Sequence, residues 1–377
     1  MQTREMISTG NQLAAVAAVD AGCKYFAGYP LTPSSEIMHT LSDLLPQTGG
    51  VSMQMEDEIA SICSVIGASM SGKRAMTATS GPGLSLKAEN LGLAHMAEVP
   101  LVCIDVMRGG PSTGLPTRVA QGDVSQVKHP SHGDLKSITV SPGNLLECYT
   151  QVTRAFNLAD RFMQPVFVIM DETLGHMHGK AMIPLEEQTK SEIKLRKQFE
   201  GKPEEYFPYG VAQDQPAVLN TMFKGYRYHF TGLHHDKQGF PTENMDTCTL
   251  LMQRLFNKVE QHEDELEAYE EYMLEDAEVL IIAYGSVSLS VKEAIRHLRS
   301  ENIKVGLFRP ITLWPSPANK IKEYTDKIEK VLCIELNMGQ YFHEIQRVSS
   351  RLDIDGLFKV NGRAISPHEI IEKVKGL

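Results

Sequence analysis

The 377-residue sequence predicts a doubly wound α/β domain followed by a second, smaller α/β domain. Three observations carry that reading. Short apolar runs alternate with helix-period stretches from Asn11 to Leu185; the rhythm breaks from Glu186 to about Asp276; it then restarts to the end of the sequence. Such alternation implies a mainly parallel sheet covered by helices on both faces. A chain of this length also exceeds the usual size of one hydrophobic core. The divisions fall at 1–185, 186–275 and 276–377.

The elements follow in order. Asn11 to Gly22 reads as a helix with Asn11 at its start and Gly22 at its stop. Tyr25–Tyr29 reads as a strand, and Thr32-Pro33 as an N-cap followed by proline at the first helical position. A strand at Val51–Met55, a helix from about Glu58 to Ser71 and a strand at Ala75–Thr79 come next. The Gly81-Pro82-Gly83 turn opens a helix ending near Glu98, before the apolar strand Leu101–Met107. A long polar loop leads to the strand Ile138–Val140, a helix through Asn157–Asp160 and the strand Pro165–Met170. The middle region passes Pro203, Pro208, Pro216 and the aromatic run Tyr226–Leu233, then an acid-rich amphipathic helix from Thr249 to Met273. It reads as a connection with an ordered excursion. Strands at Glu278–Tyr284, Lys304–Phe308 and Lys330–Leu336, with a helix between Ser286 and Ser300, build the last domain.

Composition excludes several functions. Hydrophobic residues make up 42% and charged residues 22%, the balance of a folded protein rather than a disordered one. A net charge of -10 without any Lys/Arg-rich run argues against nucleic-acid binding. The start, Met1 to Ile7, has no apolar signal core, and no later run is long enough to cross a bilayer, so a cytoplasmic location is expected. The six cysteines, at 23, 63, 103, 148, 248 and 333, form no CxxC pair and sit mostly in apolar stretches. They read as buried, reduced thiols and not as cluster ligands. No metal site is expected on this chain: His176/His178 and His234/His235 lack acidic or Cys partners at helical spacing and read as surface or interface residues.

In doubly wound sheets, ligands bind outside the carboxyl ends of strands, where helix N-termini offer N–H groups to anions. Three such turns carry candidate chemistry. In Gly28-Tyr29-Pro30-Leu31-Thr32-Pro33, two prolines stiffen a turn whose Thr32 either caps its helix or meets a small carboxylate. In Glu56-Asp57-Glu58, three acids lead an apolar helix; they either complement its dipole or include one buried acid with a shifted pKa. Arg108 opens a loop with Gly109, Gly110 and Gly114, where backbone can approach a ligand and the guanidinium could clamp a carboxylate; a solvated loop is the alternative. The Gly285-Ser286 turn could take a phosphate, but a structural role is favoured.

These motifs together resemble the alpha subunit of the 2-oxoacid:ferredoxin oxidoreductases: the run Gly28 to Pro33, the Glu-Asp-Glu helix with Gly67 nine residues after Glu58, and Arg108-Gly-Gly-Pro-Ser-Thr-Gly-Leu-Pro-Thr117. Ala120-Gln-Gly-Asp-Val, His132-Gly-Asp, Arg154-Ala-Phe-Asn-Leu-Ala, Asp171-Glu-Thr-Leu-Gly-His-Met and the excursion from Lys224 to Asp236 resemble its 2-oxoglutarate-specific branch. The resemblance spans nearly the whole chain.

It implies a thiamine-diphosphate-binding fold of the pyrimidine type for the first domain and a transketolase C-terminal-like domain at the end. The cofactor would lie between this chain and a beta subunit. A family glutamate hydrogen-bonds the aminopyrimidine ring and favours its imino tautomer, and Glu58 matches it better than Glu56. Thr32 matches the residue contacting the substrate carboxylate and Arg108 the one pairing with it, while Ser112, Thr113 and Thr117 fall where the distal end of the substrate is read. Gly28, Tyr29 and Pro30 match the cofactor-facing turn. Leu31 stands where the family writes isoleucine, a volume-conserving change. Arg118 could hold a second carboxylate, on charge alone.

The sequence has no Gly-Asp-Gly plus Asn diphosphate motif and no cysteine quartet. Mg2+ and [4Fe-4S] clusters are therefore expected on partner chains: the beta subunit, a gamma subunit and a ferredoxin-like delta subunit. The implied reaction is oxidative decarboxylation of 2-oxoglutarate to succinyl-CoA, with coenzyme A as co-substrate and ferredoxin or flavodoxin as acceptor. Pyruvate or a branched-chain 2-oxoacid is the alternative substrate. A non-catalytic scaffold is the alternative role, against which Thr32, Glu58 and Arg108 speak.

Overall fold

The computed structural model describes residues 2–377. Its larger sheet runs in the order Thr312–Trp314, Ile138–Val140, Pro165–Asp171, Leu101–Gly109, Arg74–Thr79, Cys23–Gly28, Val51–Gln54. All neighbours are parallel except the first pair. The chain steps from Cys23–Gly28 outward to the edge strand Val51–Gln54, then returns to the other side with Arg74–Thr79. That reversal makes the carboxyl ends of Cys23–Gly28 and Arg74–Thr79 a topological switch point, where such sheets leave a crevice. A smaller five-stranded sheet runs Tyr269–Tyr272, Val305–Pro310, Val279–Ile282, Lys330–Glu335, Asp355–Phe358. Its first pair is antiparallel and the others parallel.

Several local expectations are corrected. The first helix, Gly10–Asp20, is capped by Thr9 in a capping box with Gln12. Asn11 lies inside it, fully buried, and donates to the Pro33 carbonyl at 2.9 Å. The next helix begins at Ser35, not at Pro33, because the chain first turns through Leu31–Ser34, whose ends are joined by Ser34 N–H to Leu31 O at 2.9 Å. Thr32 is therefore no N-cap. The helix expected from Thr249 to Met273 runs instead from Met245 to Glu260, capped by Asn244. Tyr269–Tyr272 is a strand, pinned to the smaller sheet by Arg309, whose Nε donates to Glu270 at 2.7 Å.

The polar loop after residue 107 is a hairpin, in which Leu115–Val119 turns back on Leu101–Gly109. Thr3–Thr9 and His178–Pro184 form a separate antiparallel pair that was not foreseen. The segment Thr312–Trp314 leaves the smaller sheet to extend the larger one.

The Gly285-Ser286 turn is occupied by protein. Asp171, fully buried, accepts the Ser286 N–H at 2.9 Å and the Leu174 N–H at 3.0 Å, so a carboxylate sits where a phosphate was considered. Cys23, Cys103, Cys148 and Cys333 are buried as expected, but Cys63 is exposed and Cys248 half-buried. His235 is buried against the Tyr209 ring at 4.2 Å, not at the surface.

Candidate active site

The loops after three parallel strands converge at the switch point. The carbonyl of Gly28, at the end of its strand, accepts Met55 N–H at 2.9 Å and so sets where the acidic helix Glu58–Met70 begins. Asp57 caps that helix by accepting Ala60 N–H at 2.7 Å, which leaves the next carboxylate to turn inward. Of the three leading acids, Glu56 is exposed, Asp57 half-buried and Glu58 only 5% exposed.

Glu58 is received by the turn after Arg74–Thr79. At Gly83, an added Cβ would lie 2.5 Å from Glu58 Oε1 and collide with Thr79 Oγ1, so only a residue without a side chain admits the carboxylate this close. Among the described residues, no hydrogen bond engages the Glu58 carboxylate, which leaves its oxygens available to a ligand. The helix itself is less enclosed than its composition implied. Ile59, Cys63 and Gly67, spaced four apart, form an exposed stripe along one face.

Arg108, at the end of the fourth strand, is 6% exposed. Its Nη1 donates to the Thr32 carbonyl at 2.6 Å and its Nη2 to the Thr113 carbonyl at 3.1 Å, while Nε has no partner. The guanidinium thus bridges the turn after the first strand and the hairpin loop. Thr32 and Arg108, both expected at the substrate carboxylate, are neighbours here through the threonine backbone carbonyl; the Thr32 side chain is exposed. Tyr29 is exposed and Pro30 half-buried on the same turn. Ser112, Thr113, Thr117 and Arg118 are exposed on the hairpin, with Arg118 packed against Gly362.

A cavity of about 570 Å³ opens beside this bridge, lined by Arg108, Gly110, Ser112, Gly81 and Asp123. Asn337, Met338 and Gln340 from the last domain line its other side. Gln340 donates to the Gly122 carbonyl at 2.6 Å and Asn337 to the Gln121 carbonyl at 2.7 Å, which fixes that contribution.

Three ionisable residues at or beneath the site were given no role in the sequence reading. Lys87 and Asp105 are fully buried, and Asp123 is half-buried. Burial and the neighbouring Asp123 push Asp105 far above the usual carboxylate range; burial raises Asp123 to about 6. Burial pushes the Lys87 ammonium down against the pull of Cys103, Glu58, Asp105 and Asp57. Lys87 could have been found: it sits one helical turn after Gly83, on a helix whose positions Leu84 and Leu91 are apolar.

The residues fit a thiamine cofactor in one respect that the geometry can test. The buried carboxylate of Glu58, which no protein group hydrogen-bonds among the described residues, lies against Gly83 at the switch point and has the chemistry to hydrogen-bond an aromatic nitrogen base. Among the described residues, no group of three or more His, Cys, Asp or Glu side chains is placed to hold a metal ion.

Residues 16–254 match the family model described as pyruvate flavodoxin/ferredoxin oxidoreductase, thiamine-diphosphate-binding, and residues 277–370 match pyruvate:ferredoxin oxidoreductase core domain II. The 2-oxoglutarate synthase subunit KorA of Methanothermobacter marburgensis is 42% identical over 377 residues, covering 100% of both chains. The ketoisovalerate oxidoreductase subunit VorB of Methanothermobacter thermautotrophicus is 33% identical, covering 97% of this chain and 96% of that one. A solved 2-oxoglutarate:ferredoxin oxidoreductase from Magnetococcus marinus, with 2-oxoglutarate, coenzyme A and succinyl-CoA bound, superposes with a TM-score of 0.92 at 34% identity; the match covers 100% of this chain and 65% of that one. A split-gene transketolase shares the fold alone, with a TM-score of 0.52 at 12% identity over 97% of this chain and 96% of that one. The chain belongs to the thiamine-diphosphate-binding pyruvate flavodoxin/ferredoxin oxidoreductase family.

Proposed function

We propose that this chain is the alpha subunit of an enzyme that oxidatively decarboxylates 2-oxoglutarate to succinyl-CoA, with ferredoxin or flavodoxin as electron acceptor. The observation that carries the reading is end-to-end similarity to 2-oxoglutarate synthase subunits, at 42% identity. Thiamine diphosphate, when bound, supplies a carbanion-stabilising centre for 2-oxoacid chemistry. On this chain, Glu58 would hydrogen-bond a ring nitrogen of the cofactor and hold a proton there. Gly28, Tyr29 and Pro30 form the wall against that ring. Arg108 and Thr32 orient the substrate carboxylate, and Ser112, Thr113 and Thr117 read its far end. The units 1–185, 186–275 and 276–377 act as cofactor-facing domain, connection and closing domain.

The site is partial. Tyr29, Met53, Ile59 and Leu86 are exposed apolar side chains on the elements surrounding Glu58, as expected of a face that another subunit covers. We assign that partner as the beta subunit holding the cofactor diphosphate and Mg2+, with [4Fe-4S] clusters, gamma and delta subunits completing a cytoplasmic complex. In the described residues, no helix is long and apolar enough to cross a membrane.

The branched-chain reading keeps a specific observation in its favour, the 33% identity to a ketoisovalerate subunit. Anaerobic purification with the co-expressed partners, followed by kcat/KM for 2-oxoglutarate, pyruvate and 2-oxoisovalerate, decides between them. A preference for 2-oxoglutarate supports the proposal. A preference for either other acid overturns the substrate assignment, and no turnover of any 2-oxoacid overturns the enzymatic reading.

A further inference from the structure

Asp123 occupies a position that normally uses up its carboxylate. It directly precedes the short helix Val124–Lys128, where an aspartate side chain usually accepts the N–H of the second or third helical residue. Here it caps nothing: its Oδ2 is buried without a hydrogen-bond partner, and the residue lines the cavity it shares with Arg108. The capping bond comes from the last domain instead. Gln340 Oε1 accepts the Ser125 N–H, at the second helical position, at 2.8 Å, while Gln340 Nε2 donates to the Gly122 carbonyl at 2.6 Å. One carboxamide thus grips the chain on both sides of Asp123.

Gln340 is itself held in place. Asn337 Oδ1 accepts the Gln340 N–H at 2.9 Å and the Gly339 N–H at 2.7 Å, and Asn337 Nδ2 donates to the Gln121 carbonyl at 2.7 Å. Gln121, fully buried, completes the seam. Its N–H donates to the Leu336 carbonyl at 2.9 Å, its Oε1 accepts the Leu336 N–H at 3.1 Å, and its Nε2 donates to the Tyr284 carbonyl at 3.1 Å. A buried amide network satisfied in this way is rigid and specifies one arrangement. The last domain therefore sets the segment Ala120–Asp123, which continues from the strand Leu115–Val119 paired with Arg108.

We propose that Gln340 is a positioning residue for the 2-oxoacid: by capping the helix Val124–Lys128 in place of Asp123, it fixes the cavity wall formed by Gly122, Asp123 and Gln126. This rests on the substrate assignment above. Both ends of the Gln340 carboxamide are engaged by the chain, so it acts on the substrate through the wall it holds. Without it the Ser125 N–H loses its acceptor, and Asp123 turns to cap its helix, as Asp57 and Asp171 cap theirs. The wall then leaves the shape that a 2-oxoacid held at Arg108 meets, and a displacement of about 1 Å is enough to matter.

The test uses the assembled complex carrying Gln340→Ala, Gln340→Lys or Gln340→Glu. The first two remove the acceptor for the Ser125 N–H and should raise KM for 2-oxoglutarate about 10-fold. Their kcat, their KM for the electron acceptor and their melting temperature should stay close to wild type. Gln340→Glu keeps an acceptor and should restore KM. A crystal structure of the Gln340→Ala complex should show the Asp123 carboxylate turned onto the Ser125 N–H. An unchanged KM in both Gln340→Ala and Gln340→Lys overturns the inference. So does an equal rise in Gln340→Glu, which would trace to the lost Gly122 bond, or a matching rise in KM for the acceptor, the mark of general loosening. Should Gln340→Ala fail to assemble, Gln340→Lys decides alone, in kinetics and in the crystal. The crystallographic result needs no turnover: an unmoved Asp123 overturns the inference whatever the substrate, whereas a wild-type complex that turns over no 2-oxoacid overturns the substrate assignment and leaves the cap to be judged by Asp123.

Discussion

Arg108 donates to the backbone carbonyl of Thr32 at 2.6 Å, joining two loops 76 residues apart in sequence across the mouth of the crevice. The same guanidinium holds the Thr113 carbonyl and keeps Nε free. A planar fork can serve both carbonyls and still present an edge to a carboxylate; a lysine ammonium cannot.

Arg108→Lys should therefore lower kcat/KM for the 2-oxoacid by about 10- to 100-fold, mostly through KM, because a charge-assisted fork is lost while the positive charge remains. Steady-state kinetics of the assembled complex check this. An unchanged KM would show that Arg108 only braces the loops.

Gly83 is the second lever. A methyl group there meets Glu58 Oε1 and Thr79 Oγ1, so Gly83→Ala must displace the carboxylate or the turn. Overpacking of this kind costs about 1–3 kcal/mol. The variant should show a modest loss in thermal stability together with a large loss of turnover, read from its melting temperature and from steady-state kinetics of the assembled complex.

The excursion is anchored by a buried ion triad. Glu98 accepts from Arg254 at 2.5 Å, from Lys258 at 3.0 Å and from the Ala217 N–H at 3.0 Å. Glu98→Gln would leave two buried cations short of a counterion and should destabilise the chain by about 3–5 kcal/mol, measured by denaturant unfolding.

Acid should destabilise the fold in two steps. Burial, helped by Lys258, lowers His95 from 6.5 to about 3. The folded chain keeps it neutral while the unfolded chain takes up a proton near 6.5, so its contribution is full above that pH and fades between 6.5 and about 3. Burial alone would raise Glu98, but Arg254 and Lys258 outweigh it and bring it from 4.5 to about 2, so its contribution fades over that lower window. Melting temperature against pH should fall from about 6.5 downward, and His95→Gln should flatten the slope between 6.5 and 4.5 without abolishing it. A slope identical to wild type would contradict the assignment to His95.

The alternation of the larger sheet was legible because parallel strands buried on both faces are written as apolar runs, as in Leu101–Met107 and Pro165–Met170. What the sequence hid was set by partners distant in the chain. Thr312–Trp314 joins the larger sheet only because Ile138–Val140 offers an open edge, and Tyr269–Tyr272 is a strand because Arg309 waits for Glu270. Glu58 stood out by its motif, but its burial depends on a glycine 25 positions later. Lys87 was invisible as chemistry, since one lysine on an apolar helix reads as a side chain that reaches solvent.

In the proposed function, Glu58 is the group on this chain that acts on the cofactor. The most direct measurement is 2-oxoglutarate-dependent acceptor reduction by the assembled complex carrying Glu58→Ala, with subunit content verified. Removal of a general acid/base group predicts a loss of about 100-fold or more in kcat. Turnover within a few-fold of wild type, in a complex that assembles normally, would contradict it.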